Sequence, residues 1–364
     1  MDIFLICPPG LEKALAAEAQ AHGFQPARPV NGGVDITGGW PEVWRANLLL
    51  RGAVRVLVRI GSFRAFHLAQ LDKRARKFPW AEFLRPDVPL RVEVTTNKRS
   101  KIYHAGAAAQ RIETAIKESL GAPISAEAAL TLKARIDDNL VTFSLDSSGE
   151  SLHKRGFKEA VNKAPMRETL AALFLREAGY TGSEPVLDPM CGSGTFPIEA
   201  AEIAMGLAPG RARSFAFETL ASFDPEAWQA LRDAVTPKET EQHFYGSDRD
   251  QGAITMSTRN AEAAGVAAHT TFTCTSISDL KRPDGPAGLV IINPPYGGRI
   301  GNKKPLFALH AALGTKLKAE FKGWRVAIIT TEASLAKATG LTLSAGPYVP
   351  HGGLKVRLYQ SGPL

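Results

Sequence analysis

The apolar run Leu289-Val290-Ile291-Ile292 stops on Asn293-Pro294-Pro295-Tyr296, with Gly297 and Gly298 behind it. Two prolines end any regular element, so the stretch reads as a strand closed by a rigid turn that carries one amide and one ring. Alkylation of an amine on an aromatic base calls for such a set. The lone pair of that nitrogen is delocalised into the ring, which makes it a poor nucleophile. The Asn293 side-chain oxygen and the Pro294 carbonyl can accept both amino hydrogens and turn the lone pair toward an electrophile. Pro295 fixes the turn, and Tyr296 can stack on the base. Against this stands the plainer reading of a strand-ending turn.

A second constellation lies upstream, in "PVLDPMCGSGTFPIEAAEIAM". A glycine-rich turn after a first strand lets a nucleotide-like ligand approach the backbone at a helix N-terminus. Here Gly192, Ser193 and Gly194 supply the turn and Asp188 offers a carboxylate at its rim, with Pro189, Cys191 and Thr195 alongside. A phosphate-binding P-loop would need Gly-Lys-Ser/Thr, and no lysine is present. A nicotinamide or flavin site would need a third glycine and an acid roughly 20 residues on; the next strand-end acid, Asp248, comes 60 residues after Asp188. S-adenosylmethionine remains, its methionine part over the glycines and its ribose on a carboxylate. In "YGSDRD", Asp248 suits the ribose role, Arg249 adjoins it, and Asp250 is either a second candidate or a helix N-cap.

These two turns need a scaffold that brings strand ends together. From about residue 165, "PVLDP", "HFYGSD", "TTFTCTS", "GLVIINP" and "WRVAIITTE" alternate with helical segments, the pattern of a parallel doubly wound α/β sheet. The tail "GLTLSAGPYVPHGGLKVRLYQ" holds two strand-like runs joined by His351-Gly352-Gly353, which predicts a hairpin and an antiparallel last strand. Upstream, "DIFLICPPGLEKALAAEAQAHGF", "GGVDITG" and "WPEVWRANLLLR" read as a small α+β unit. A second α+β unit runs through "AVRVLVRIGSF" and "LRVEVTT" to a hairpin at Asp137-Asp138-Asn139. The polar "DSSGESLHKRG" marks the main boundary. The predicted units are therefore 1–60, 61–150 and 151–364.

The 364 residues carry a net charge of +8, with 44% apolar residues. No apolar stretch is long enough to span a membrane and no secretory leader is evident, so a cytoplasmic protein is expected. Cys7, Cys191 and Cys274 form no CxxC, so neither a disulfide framework nor a metal site is expected, and Cys7 and Cys274 read as small core residues. With Cys191 in the glycine turn and Cys7 far upstream, no cysteine suits pyrimidine C5 alkylation. Between Arg45 and Arg111 stand 15 Lys or Arg against four acids. Phe63, Phe66, Phe78, Trp80, Phe83 and Tyr103 are interleaved with them. A phosphate-tracking surface with rings for bases fits this segment better than a merely solvated face.

Taken together, "SLHKRGFKEAVNKAPMRETLAALFL", "DPMCGSGTFPIEAA", "YGSDRDQGAITMSTRNAEAAGV" and "IINPPYGGRIG" resemble the THUMP-domain RNA methyltransferases. The group in question is similar to the bacterial 23S rRNA guanine-N2 methyltransferases. The resemblance implies a Rossmann-like class I methyltransferase domain preceded by ferredoxin-like (1–60) and THUMP (61–150) domains, the latter gripping RNA. It implies that Asp188 to Thr195 line the S-adenosylmethionine loop, that Asp248 meets the ribose, and that Asn293 to Tyr296 form the catalytic turn. Pro165, Met166, Arg167 and Glu168 match the segment that helps close the cofactor site. Where the family places an Asp against adenine, this chain has Ser276, with Asp279 three residues later, and either could serve. The implied acceptor is an exocyclic amine, guanine N2 of large-subunit rRNA first, with tRNA guanine or adenine N6 of RNA or DNA as alternatives. The same turn also serves enzymes that methylate glutamine amides, but the basic segment favours nucleic acid.

Overall fold

The computed structural model describes residues 1–157, 166–295 and 304–364, which fall into two compact units. In the first, strands β1 (Asp2–Ile6), β2 (Arg28–Val30), β3 (Gly33–Thr37), β4 (Arg55–Arg64), β5 (Leu90–Thr96), β6 (Leu130–Asp137) and β7 (Leu140–Asp146) form one sheet, ordered β2-β3-β1-β4-β7-β6-β5. Only β5 and β6 pair in parallel. Helices α1 (Glu12–Ala21), α2 (Trp40–Leu49), α3 (Leu68–Arg76) and α4 (Ala105–Leu120) lie between these strands in sequence. Strand β4 continues through residues 60 and 61 and is irregular between Arg59 and Gly61. A Cβ at Gly61 would come within 2.7 Å of the Phe78 ring, so glycine there lets that ring pack on the strand.

The second unit comprises Pro8–Leu15, His153–Ala212 and Val235–Leu364. Helix α5 (Glu168–Glu177) leads into β8 (Val186–Asp188) and α6 (Thr195–Ala204). Residues 213–234, including α7 (Pro225–Asp233), then belong to the first unit, where Phe217 and Phe223 pack on Trp44 of α2. The chain returns with β9 (Phe244–Asp248), α8 (Gln251–Ala264), β10 (Thr270–Cys274), β11 (Leu289–Ile292), α9 (Lys304–Glu320), β12 (Arg325–Thr330), α10 (Ala333–Ala338), β13 (Ser344–Ala345), β14 (Val349–His351) and β15 (Leu354–Ser361).

The sheet of this unit is ordered β10-β9-β8-β11-β12-β15-β13, with β14 paired to β15. Its first five strands are parallel, and β15 runs antiparallel to β12, as the tail pattern predicts. The order reverses between β8 and β11. In such sheets the crevice for a ligand opens at that reversal, beyond the carboxyl ends of the strands. The sheet is held by burial of β-branched side chains: Val290, Ile292, Val326 and Ile328 pack with Leu313 and Leu317 of α9 and with Phe321 and Trp324. Among the described residues no helix is long and apolar enough to cross a membrane.

Candidate active site

The two strands flanking the reversal each deliver one of the constellations. At the end of β8, Asp188 is 3% exposed, and its Oδ1 accepts from the Met190 N–H at 3.0 Å. Burial pushes its carboxyl up to about 8; the Met190 bond opposes the rise and the Asp248 charge adds to it. Pro189 is buried beside it. The turn then folds back on β9: the Cys191 N–H donates to the Ser247 carbonyl at 2.9 Å, and the Gly192 N–H donates to Asp248 Oδ2 at 3.1 Å. Burial raises the Cys191 thiol well above its ordinary range, so it stays neutral.

The glycines of this turn have different physical reasons. Gly194, at φ +81°, starts α6, and a Cβ there would lie 2.8 Å from the Ser257 Cβ. Gly192, at φ +53°, has no atom within 4 Å of the point a Cβ would occupy. One glycine is demanded by close packing; the other leaves open space next to Asp248. Ser193 is buried, and its carbonyl accepts from Asn260 Nδ2 at 3.0 Å. Thr195 Oγ1 donates to the Met166 carbonyl at 3.4 Å, which ties the turn to the segment ahead of α5. Met166 and Glu168 are buried, while Arg167 is exposed.

Asp248 ends β9, and its second oxygen accepts from the Asp250 N–H at 3.0 Å. Asp250 caps α8, accepting from the Gly252 N–H at 2.8 Å. Arg249 is exposed, and its carbonyl faces the Cys274 thiol at 3.6 Å. Cys274 itself is exposed, which corrects its reading as a core residue. It ends β10, the edge strand of the sheet among the described residues. Beyond β10, Ser276 Oγ donates to Asp279 Oδ2 at 2.7 Å, so the structure brings these two adenine candidates into one group.

Across the reversal, Asn293 follows directly on β11. Its Oδ1 is buried and accepts no hydrogen bond among the described residues. A buried amide oxygen without a donor is costly. Pro294 is buried and Pro295 exposed. Tyr296 and Pro165 lie outside the described residues. The cradle at Gly192, the paired carboxylates and the Asn293 acceptor fit a cationic, ribose-bearing methyl donor and an amine.

Three features escape a reading of the sequence. Asn260 holds the Ser193 carbonyl. It falls on the buried stripe Ala253, Ile254, Ser257, Asn260, Ala261, Ala264 of α8, and that helical spacing is the signal that could have revealed it. Ser247, next to Asp248, has a buried hydroxyl without a partner among the described residues. Arg155 and Glu199 pair at 2.9 Å with side chains 1% and 2% exposed, anchoring α6 from its inner side. Nothing local in the sequence marks that pair, because its members are 44 residues apart.

In the first unit the basic segment divides. Arg55, Arg59, Arg64, Arg76, Arg85, Arg91 and Arg99 sit in ion pairs with carboxylates. Lys73, Arg74, Lys77, Lys98, Lys101 and Arg111 are exposed and make no ion pair among the described residues. The rings divide as well. Trp80 is buried, and it joins Phe63 and Phe78 around Phe143, with Phe83 against Phe78. Phe66 and Tyr103, 40% and 78% exposed, remain available to a base. The expectation of six available rings is thus reduced to two, because aromatic side chains gain more from burial in a core than from water.

A mostly parallel sheet with an antiparallel last strand, a glycine-rich turn after β8 and a carboxylate at the end of β9 defines the Rossmann-like class I methyltransferase fold. Residues 155–352 match the family model described as an RMKL-like methyltransferase domain, and residues 2–57 match the RlmL ferredoxin-like domain. The chain belongs to the RMKL-like methyltransferase family. It is 35% identical over 341 residues to the ribosomal RNA large subunit methyltransferase K/L of Vibrio cholerae, covering 90% of this chain and 48% of that protein. It is 32% identical over 360 residues to the putative RNA methyltransferase slr0064 of Synechocystis, covering 96% and 93%. The chain therefore spans about half the length of the K/L relatives. Among solved structures, a possible methylase from Clostridium difficile superposes with a TM-score of 0.90 at 28% identity, covering 100% of this chain and 98% of that one. SMU.472, a putative methyltransferase complexed with SAH, gives a TM-score of 0.89 at 25% identity, covering 100% and 98%. The methyl donor is S-adenosylmethionine.

Proposed function

We propose that this protein transfers a methyl group from S-adenosylmethionine to an exocyclic base amine of RNA, with guanine N2 of large-subunit ribosomal RNA as the acceptor. The observation that carries the chemistry is the buried Oδ1 of Asn293 at the end of β11, without a partner among the described residues, across the sheet reversal from the Asp188 turn. When bound, the donor supplies a methyl group on a positively charged sulfur, which leaves as a neutral thioether. The open space at Gly192 receives its methionine part, with Asp188 nearby. Asp248 accepts from the ribose hydroxyls, and Asp279, already fixed by Ser276, accepts from the adenine amino group.

The acceptor amine donates to Asn293 Oδ1 and to the Pro294 carbonyl. Held this way, its lone pair faces the methyl carbon; the new C–N bond forms as the C–S bond breaks, and the amine proton passes to water. Orientation of this kind can supply on the order of 7–11 kcal/mol of barrier lowering. RNA as the substrate is supported by the names of the relatives and by the unpaired cations and exposed rings of the first unit. We assign residues 61–150 as the THUMP domain that grips it.

One finding favours a second reading. A structure from Listeria monocytogenes described as a predicted N6-adenine-specific DNA methylase superposes with a TM-score of 0.89 at 28% identity. Mass spectrometry of nucleosides from ribosomal RNA, tRNA and DNA, with and without the protein in the source cell, decides between the two. Loss of N2-methylguanosine from large-subunit rRNA is the expected result. Loss of N6-methyladenine with guanine untouched would keep the turn's chemistry and replace the base.

A further inference from the structure

The hairpin β14–β15 stands at the carboxyl edge of the second sheet, the edge that carries Asn293. Two registers establish this. Ile292 of β11 is paired with Ile328 of β12, so Asn293 stands level with Ile329. Ile329 is paired with Leu358 of β15, and Thr330 with Arg357. Asn293 and the Leu358–Arg357 step thus lie at one height, two strands apart, or about 10 Å at ordinary strand spacing. Because β15 is antiparallel, the residues before Arg357 extend beyond the end of β12, and the hairpin closes there through Pro350 opposite Lys355 and His351 opposite Leu354. Gly352 and Gly353, at φ +57° and +82°, form its two-residue tip.

The chemistry of this edge is cationic and braced. The Arg357 guanidinium lies 4.6 Å over the Tyr348 ring and 5.8 Å over that of Tyr359, and its Nε donates to the Gly346 carbonyl at 2.8 Å. Tyr348 is 59% exposed. Lys355 is exposed, and neither cation pairs with a carboxylate among the described residues. A flat guanidinium fixed by two rings and one backbone oxygen has little freedom left to lose on binding an anion. Enzymes that act on an extruded base also hold the flanking nucleotides.

We propose that this hairpin, through Lys355 and the tyrosine-braced Arg357, grips the phosphates of the nucleotides flanking the target base. The inference rests on the RNA reading above and adds a substrate contact within the methyltransferase unit itself. Its test is binding of a fluorescein-labelled 23S ribosomal RNA fragment to the full chain over a range of potassium chloride concentrations. Methyl transfer to the same RNA and calorimetric binding of S-adenosylmethionine are measured in parallel. Lys355→Ala with Arg357→Ala should weaken RNA binding about tenfold. It should also flatten the salt dependence by about 0.7 of a logarithmic unit for each phosphate no longer neutralised, with cofactor affinity unchanged. Arg357→Lys, which keeps the charge and loses the braced plane, should recover part of the affinity. Lys355→Glu, on an exposed side chain, should weaken binding without disturbing the fold. Unchanged affinity and salt slope in Lys355→Glu and Arg357→Ala would overturn the proposal, even if the RNA is methylated. If the wild-type chain binds RNA and transfers no methyl group, the function proposed above falls, while the salt slope still decides the role of the hairpin.

Discussion

Asn293, a neutral amide, and Asp188, a carboxyl that burial keeps protonated up to about 8, end the neighbouring strands β11 and β8, and each gives a distinct experiment. Asn293→Ala removes the acceptor that the proposed mechanism gives to the reacting amine. It should lower kcat by about 10²–10³-fold, by analogy with loss of one transition-state hydrogen bond, and leave S-adenosylmethionine affinity in calorimetry unchanged. Asp248→Ala should do the reverse, weakening the cofactor about tenfold or more through loss of the proposed ribose acceptor. For Asp188 the sign follows from its raised pKa. The free protein holds this proton up to about 8, whereas an unfolded chain releases it near about 4. Stability should therefore fall as pH rises through that window. The cationic donor favours the ionised carboxylate, so its affinity should rise with pH toward about 8 and then level off. Asp188→Asn should flatten both profiles, read from melting curves and calorimetry on either side of that value. At this scale the sequence singled out Asn293 and Gly192 from local strings in which the expected chemistry dictates a residue type. It was silent on Ser247 and Arg155, whose significance comes only from what surrounds them.

At the scale of elements, the strands of the second unit were legible because most are short runs of β-branched or aromatic residues ended by a turn residue, and the hairpin was legible from His351-Gly352-Gly353. Fixation of α6 was not legible. This helix presents its N-terminus to the site and is anchored by the Arg155–Glu199 pair inside the fold. Breaking one side of a buried pair leaves a charge without compensation, so Arg155→Met should cost about 3–5 kcal/mol in denaturant unfolding. Replacing both, Arg155→Met with Glu199→Leu, should restore much of that. If the double variant is no more stable than the single one, the pair is not what holds the helix.

For the whole molecule, the +8 charge hides a division of labour: seven arginines of the basic segment are tied to carboxylates, and a smaller set is exposed. Lys73→Ala, Arg74→Ala and Lys77→Ala together should reduce the salt slope of RNA binding by about 0.7 for each phosphate left without its cation, with S-adenosylmethionine binding intact. An equivalent change at Arg59 and Arg76, which are ion-paired, should affect stability more than the slope. The excursion at residues 213–234 was beyond sequence reading, since its helix looks like any other segment between two strands of an α/β domain. That excursion also orders events during synthesis. The first unit lacks α7 and the Phe217 and Phe223 rings until residue 234 has left the ribosome, about 80 residues after Leu152. At ordinary elongation rates this is roughly 4–16 s, during which β8 and α6 of the second unit have already been made. A nascent chain stalled after Leu152 should therefore show an incompletely protected α2, and protection should be completed only when the stall is moved beyond residue 234.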